Sequence, residues 1–451
     1  MNQALLFHER IAASLPSFDK IVGNVVIPRF RLARQRFRAD RLDDARATLL
    51  DELARPGRLD AIRPGMRVAI AVGSRGIANL TLIVRTLAAE IRRAGGEPFI
   101  VPGMGSHGGA TAEGQAQMLA GIGVSEASCG APVMSSMEVK RIGEATVTVR
   151  GEKVVIPVFL DANALAADAL VPVARVKPHT AYRGPYESGI CKMLVIGLGK
   201  HVGAMAYHKH GFGIFAEVVP AVAGDVLSRV NIPFALACVE NARHETAVLE
   251  AVPGGEILAR EPELLKIAFS FMGRLHFTDL DELIVEEIGK DISGDGMDPN
   301  ITGTYPTEFC GKGLSVESRV VLGLSEGTHG SAVGLGMADY TTVKTLLQVD
   351  PIPTYTNAMT SRVACVARLP LVMPDDLTAI RAGIFKSTSP TADAPRIVKI
   401  RNTGNIDLVE ISESLWPEAE AHPDVTLESE PYELAFDANR MLISRLPKDE
   451  K

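Results

Sequence analysis

The sequence predicts an α/β protein of two domains with mainly parallel sheets and an active site in the cleft between them. Three observations carry this. Residues 66–72 (MRVAIAV) and 98–101 are apolar strand-like runs that flank an amphipathic stretch over 77–94, a β-α-β unit that sets its two strands parallel. A second alternation of apolar strands and helices begins after residue 280. The chain is 451 residues long, more than one ordinary domain needs.

Taken in order, residues 1–60 read as a leading segment with a helix over 40–53, rich in Arg and Asp. The run 66–72 lacks alternation, as a strand covered on both faces should. It enters the turn Val72-Gly73-Ser74-Arg75-Gly76 and then the helix. After the strand at 98–101, further apolar strands fit 169–173 and 234–239, separated by a Gly- and His-rich stretch over 177–213. Glu261-Pro262-Glu263 reads as the opening of a helix. The domains are expected at 1–265, with the functional loops, and at 275–451. In the second, strands fit 283–285 and 320–324 and a helix fits 339–347. The last thirty residues are acidic, contain proline and read as surface.

Hydrophobic residues make up 46% and charged residues 22%, enough to bury a core. The net charge of −7 argues against nucleic acid or an anionic membrane as the main partner. The five cysteines form no C-x-x-C pair and are widely spaced, which fits a reducing, cytoplasmic setting. Residues 1–10 lack a signal-peptide core, and no run of about 18 apolar residues suggests a membrane span.

Open α/β sheets bind ligands where strands end, and three such loops hold reactive residues. In the first, Ser74 and Arg75 sit in a turn before a helix, suited to a carboxylate or phosphate. A plain tight turn with a solvated arginine fits equally. The second, Gly103-Met104-Gly105-Ser106-His107-Gly108, matches the dinucleotide pattern G-x-G-x-x-G but carries a histidine within it. The third runs from Lys177-Pro178-His179 through Ser188-Gly189-Ile190-Cys191-Lys192 and Gly199-Lys200-His201 to His208-Lys209-His210. Five of the ten histidines lie within 107–210. Acid–base work and metal binding are the functional readings of such a cluster. The Gly199-Lys200 pair lacks the spacing of a P-loop. Asp291-Ile292-Ser293-Gly294-Asp295-Gly296 resembles a calcium loop, but its twelfth position is Thr302 and not glutamate.

The order Arg turn, Gly-x-Ser-His, Pro-His, Ser-Gly-x-x-Lys and downstream His resembles the nickel-dependent lactate racemase family of 2-hydroxyacid racemases and epimerases. The likeness covers most of 60–215. It implies a nickel-pincer nucleotide derived from nicotinic acid mononucleotide, covalently tethered at Lys192 and seated by Ser188, Gly189 and Ser74. It further implies His208 as the metal ligand, Arg75 for the substrate carboxylate, and His107 and His179 as the catalytic bases. Cofactor maturation proteins and a small 2-hydroxyacid would be the partners. The family's Asp-x-Thr-Arg-Pro turn is here Val72-Gly73-Ser74-Arg75-Gly76, and His107 is followed by two glycines. Both departures remove bulk and point to a substrate other than lactate.

The chemistry agrees with this likeness. The C–H of a 2-hydroxyacid is not acidic, so a hydride route to an electron-poor ring avoids a carbanion, with one histidine serving each hydroxyl orientation. A positioned base contributes roughly 10²–10⁴-fold. Three alternatives stand beside this reading. One is an NAD-dependent oxidoreductase using Gly103 to Gly108 with Glu126 on the ribose. Another is a cofactor-less binding homologue. The third is a metal hydrolase liganded by His179, His208 and His210.

Overall fold

The computed structural model describes residues 6–149, 151–388 and 393–447, so the first residues of the N-terminal stretch and the last of the acidic tail lie outside it. The architecture is mixed α/β. The chain divides into two compact units, Arg38–Met272 and Met1–Phe37 together with Gly273–Lys451.

The unit Arg38–Met272 is built on a five-stranded sheet in the order Glu97–Pro102, Arg67–Val72, Ala169–Arg175, Phe234–Glu240 and Thr246–Pro253. The first four strands are parallel and the last is antiparallel. Val72 pairs with both Pro102 and Val173, so the strand ends lie level. Residues 68–72 are fully buried, which explains their unbroken apolar run. The helix Leu80–Arg93 lays Leu80, Ile83, Val84, Leu87 and Ile91 on the same core, an apolar stripe at helical spacing. It starts later than residue 77 because Asn79, at φ 63°, turns the chain just before it.

A long hairpin, Val139–Val149 with Glu152–Asp161, was not foreseen. The helix around Glu261 runs over Ile257–Phe271 with Pro262 inside it. Pro262 has no N–H for the Leu258 carbonyl four residues back. The Tyr186 hydroxyl donates to that carbonyl instead, at 2.6 Å.

The other unit holds an eight-stranded sheet: Leu371–Met373, Tyr340–Thr342, Val316–Val321, Leu280–Val285, Ile397–Ile400, Leu408–Ser412, Phe30–Gln35, Val425–Leu427. The first five strands are parallel and the rest antiparallel. Phe30–Gln35 thus belongs with the C-terminal residues, whereas the sequence reading kept 1–265 together. Phe30 and Ala33 are buried in that strand while its arginines make ion pairs at the surface. The helix expected over 339–347 is a strand, Tyr340–Thr342, then a short helix, Val343–Leu347, capped by Thr342. Among the described residues, no single helix is long and apolar enough to cross a membrane.

Candidate active site

The first strand of the five-stranded sheet, Arg67–Val72, lies between Glu97–Pro102 and Ala169–Arg175. The chain leaves its end toward one neighbour and leaves the end of Ala169–Arg175 toward the other side. The carboxyl ends of these two strands therefore form a topological switch point, the usual ligand crevice of an open α/β sheet. The loops that follow carry Ser74 with Arg75, and His179. The 103–108 loop follows the neighbouring strand.

Backbone contacts draw the three loops together. Gly103 N–H donates to the Val72 carbonyl at 2.7 Å, and Gly105 N–H to the Gly197 carbonyl at 2.9 Å. A Cβ on Gly73 would meet the Met193 side chain at 3.4 Å, and one on Gly103 would meet it at 3.2 Å. Met193 follows Lys192, so the Arg75 and His107 loops both close over the lysine turn. Glu240 braces the arrangement from the next strand by pairing with Arg175 and accepting from the Ala78 N–H at 2.7 Å.

The lysine turn is pinned from both ends. Ser188 and Lys177 exchange backbone hydrogen bonds at 2.9 and 3.2 Å. A Cβ on Gly189 would come within 2.4 Å of the Glu261 carboxylate, so a larger residue there would displace Glu261. Glu261, 1% exposed, accepts from the Cys191 N–H at 2.8 Å through Oε2. Its Oε1 has no hydrogen-bond partner. Burial pushes this carboxyl up to about 7. Burial and then Glu261 raise the Cys191 thiol well above its ordinary range, so Cys191 is not poised as a nucleophile.

His179 is held by Glu187, which is 1% exposed and accepts from the His179 N–H at 2.6 Å. Its ring Nδ1 accepts from the Ala181 N–H at 2.9 Å, and Nε2 contacts Lys192 Nζ. A neutral imidazole carries one hydrogen. With Nδ1 accepting, that hydrogen is on Nε2. Burial, then the charge of Lys192, holds His179 well below 6.5, so the neutral ring prevails at neutral pH.

His208 ends the helix Lys200–His208. Its ring lies 5.1 Å from both Phe212 and Phe215, and Phe212 also lies 6.0 Å from His179. Tyr182 lies tilted 4.6 Å from the His179 ring and donates its hydroxyl to the Glu187 carbonyl at 3.0 Å. His179, Lys192 and His208 therefore share one aromatic cradle, while His210 is exposed.

The donor set suits a group that is tethered by an amine and takes a single imidazole. Among the described residues no three His, Cys, Asp or Glu side chains are placed to hold a metal ion on their own, so His179, His208 and His210 do not form a hydrolase ligand set. Glu126 opens the short helix Glu126–Cys129 rather than ending a strand, where a ribose partner would sit. The sequence reading gave no site role to Glu187, Glu261, Phe212 or Phe215. Only the position of Glu187 inside the His179–Lys192 stretch signalled a role.

No protein-family model matches the chain and no curated protein matches it. Solved structures that resemble it in part include these two. One is a Thermotoga maritima protein from a structural-genomics consortium: TM-score 0.49, 13% identity, covering 73% of this chain and 84% of that one. The other is the lactate racemase apoprotein from Thermoanaerobacterium thermosaccharolyticum: TM-score 0.43, 15% identity, covering 87% and 92%. At these values the neighbours carry no functional argument.

Proposed function

We propose that the protein is an isomerase, a racemase or epimerase of a 2-hydroxyacid, working with a nickel-pincer nucleotide tethered at Lys192. The observation that supports this most directly is the contact of Lys192 Nζ with His179 Nε2, with His208 in the same aromatic cradle. A tether at lysine needs its amine inside the site, and Lys192 sets Nζ against the His179 ring.

The residues then divide the work. Lys192 would hold the cofactor, Ser188 and Gly189 shape its turn, Ser74 lies in the adjoining loop, and His208 would supply a protein ligand to nickel. When bound, the group supplies an electron-poor ring that can take and return a hydride. Arg75 binds the substrate carboxylate as a planar fork. His107 takes or returns the hydroxyl proton from one side. His179, neutral with hydrogen on Nε2, presents a donor to the substrate oxygen from the other. Taking up a proton there requires the other tautomer, at the cost of the Ala181 bond. Tyr182, Phe212 and Phe215 keep water from this face.

The test is intact-protein mass and metal analysis of chain made together with the family's maturation proteins, followed by chiral chromatography over a panel of enantiopure 2-hydroxyacids. An adduct on Lys192, about one nickel per chain and racemisation of one acid support the proposal. A matured chain with nickel and no turnover of any 2-hydroxyacid overturns the activity, and an unmodified Lys192 in that preparation overturns the cofactor.

A further inference from the structure

Lys200 is a costly residue. It is 0% exposed, and its backbone takes φ 53°, a left-handed conformation that glycine would adopt without strain. A lysine in that place needs a reason, and its contacts give one. Nζ donates to the Pro102 carbonyl and, at 2.9 Å, to Gln115 Oε1. Asp161 Oδ2 lies 3.1 Å away, an ion pair by distance whose angle falls short of a hydrogen bond. Asp161 is itself fully buried and anchored, its Oδ1 accepting from the Ala164 N–H at 2.8 Å. Gln115, also 0% exposed, turns its amide the other way. Its Nε2 donates to the Gly105 carbonyl at 2.9 Å and to the His107 carbonyl at 3.3 Å.

The chain Asp161–Lys200–Gln115 thus ends on the backbone of the His107 loop. At its other end Lys200 begins the helix that terminates in His208. The amide of Gln115 can face only one way here, because its oxygen must meet the ammonium, so its N–H groups are forced onto the loop carbonyls. Lys200 also grips the Pro102 carbonyl at the root of the same loop. Burial lowers the ammonium's pKa and Asp161 counters that shift. Both faces of the network are closed to water, so its bonds have no solvent competitor.

We infer that Lys200, acting through Gln115, is a positioning residue that fixes the His107 loop relative to the Lys192–His208 segment. This rests on the proposed role of His107 as a base. The pair makes no claim on the substrate. It sets where the His107 backbone lies, and so where its ring can reach.

The test uses the full chain without cofactor and, separately, the matured protein. Gln115→Leu cuts the bonds to Gly105 and His107 while leaving the Lys200–Asp161 pair. The double variant Lys200→Met with Asp161→Asn removes the charge pair without stranding a buried carboxylate, and it serves if Gln115→Leu does not fold. Amide exchange at residues 103–110 should rise on the order of tenfold or more. The His107 ring resonance should move while that of His179 stays. In the matured protein kcat should fall with KM little changed, and nickel content should hold. Unchanged loop exchange and an unmoved His107 resonance in the folded variant overturn the inference. If the loop responds but no 2-hydroxyacid is ever turned over, the functional proposal falls and the positioning role stands.

Discussion

Replacing Glu261 by glutamine should shift stability in the variant's favour as the pH rises. The carboxyl moves from its ordinary 4.5 to about 7 because burial removes water from the charged form. The folded state therefore keeps the proton longer than the unfolded chain does. The contribution of Glu261 to stability is complete below pH 4.5 and is lost as the pH climbs through about 7. At about 1.4 kcal/mol per pH unit the difference between the two plateaus is about 3 kcal/mol. Because the group is 1% exposed, no screening discount applies. Glutamine cannot ionise, and its oxygen can still accept from the Cys191 N–H. Whatever its amide costs beside the partnerless Oε1 is independent of pH. Between about pH 5 and pH 8 about 2.5 kcal/mol of this develops, so calorimetry of wild type and Glu261→Gln should show the variant gaining roughly 5–10 °C in relative Tm across that range, taking about 2–4 °C per kcal/mol for a unit of this size. A difference in Tm that stays flat over the range would refute the reasoning from burial.

Four further outcomes follow from the same contacts. Gly189→Ala brings a methyl into the Glu261 carboxylate and should cost about 1–3 kcal/mol by overpacking, read as a lower urea midpoint. Glu282, fully buried with neither carboxylate oxygen hydrogen-bonded, is pushed well above 4.5 by burial and then by Asp281, so the Tm of Glu282→Gln relative to wild type should be flat below pH 4.5 and climb above it. In the matured protein, His208→Ala should lose most of the nickel while His210→Ala keeps it, as metal analysis would show. His107→Ala and His179→Ala should each lower turnover by about 10² or more, and C2-deuterated substrate should racemise with its label retained, where mass spectrometry finding full exchange with water would reject the hydride route.

The parallel strands were legible because residues 68–72, 169–173 and 234–239 are unbroken apolar runs bounded by polar loops, the pattern of a sheet covered on both faces. His179, Lys192 and His208 were legible because polar chemistry sits close in sequence just past such a strand. Phe30–Gln35 was not. Its apolar positions are three apart and four arginines follow or interrupt them within 29–36, so neither strand nor partner shows locally; its pairing with Leu408–Ser412 spans nearly the whole chain. Glu261 was hidden for a similar reason. It lies in a Glu-Pro-Glu string that reads as a solvated helix start, and only the fold brings it beneath Cys191, seventy residues earlier. Lys200 was passed over as a failed phosphate loop, although a lysine after Gly197-Leu198-Gly199 is open to another use.

Buried charge is placed differently in the two units, and the difference bears on function. In the unit with the eight-stranded sheet, Lys399 meets Glu286 and Glu410, and Arg401 meets Glu286 and Glu287. Those bonds join neighbouring strands, and an apolar set of equal volume could hold strands as well. Around the candidate site, Lys200 spends its hydrogen bonds on Pro102 and Gln115, Glu187 on the His179 N–H, Glu261 on the Cys191 N–H, and Glu240 on the Ala78 N–H. Each of these buried groups ends on a loop or turn that carries a proposed functional residue, and an apolar side chain could fill the volume without fixing the backbone. Burying an ionisable group costs stability unless it is well paired, and two of these three carboxylates and the lysine are shifted against their charged forms. The same cost falls on Glu282 and Asp376 in the other unit; what sets Glu187, Glu261 and Lys200 apart is that their hydrogen bonds end on the loops of the proposed site, whose proposed bases and tether would need to be held within a fraction of an ångström.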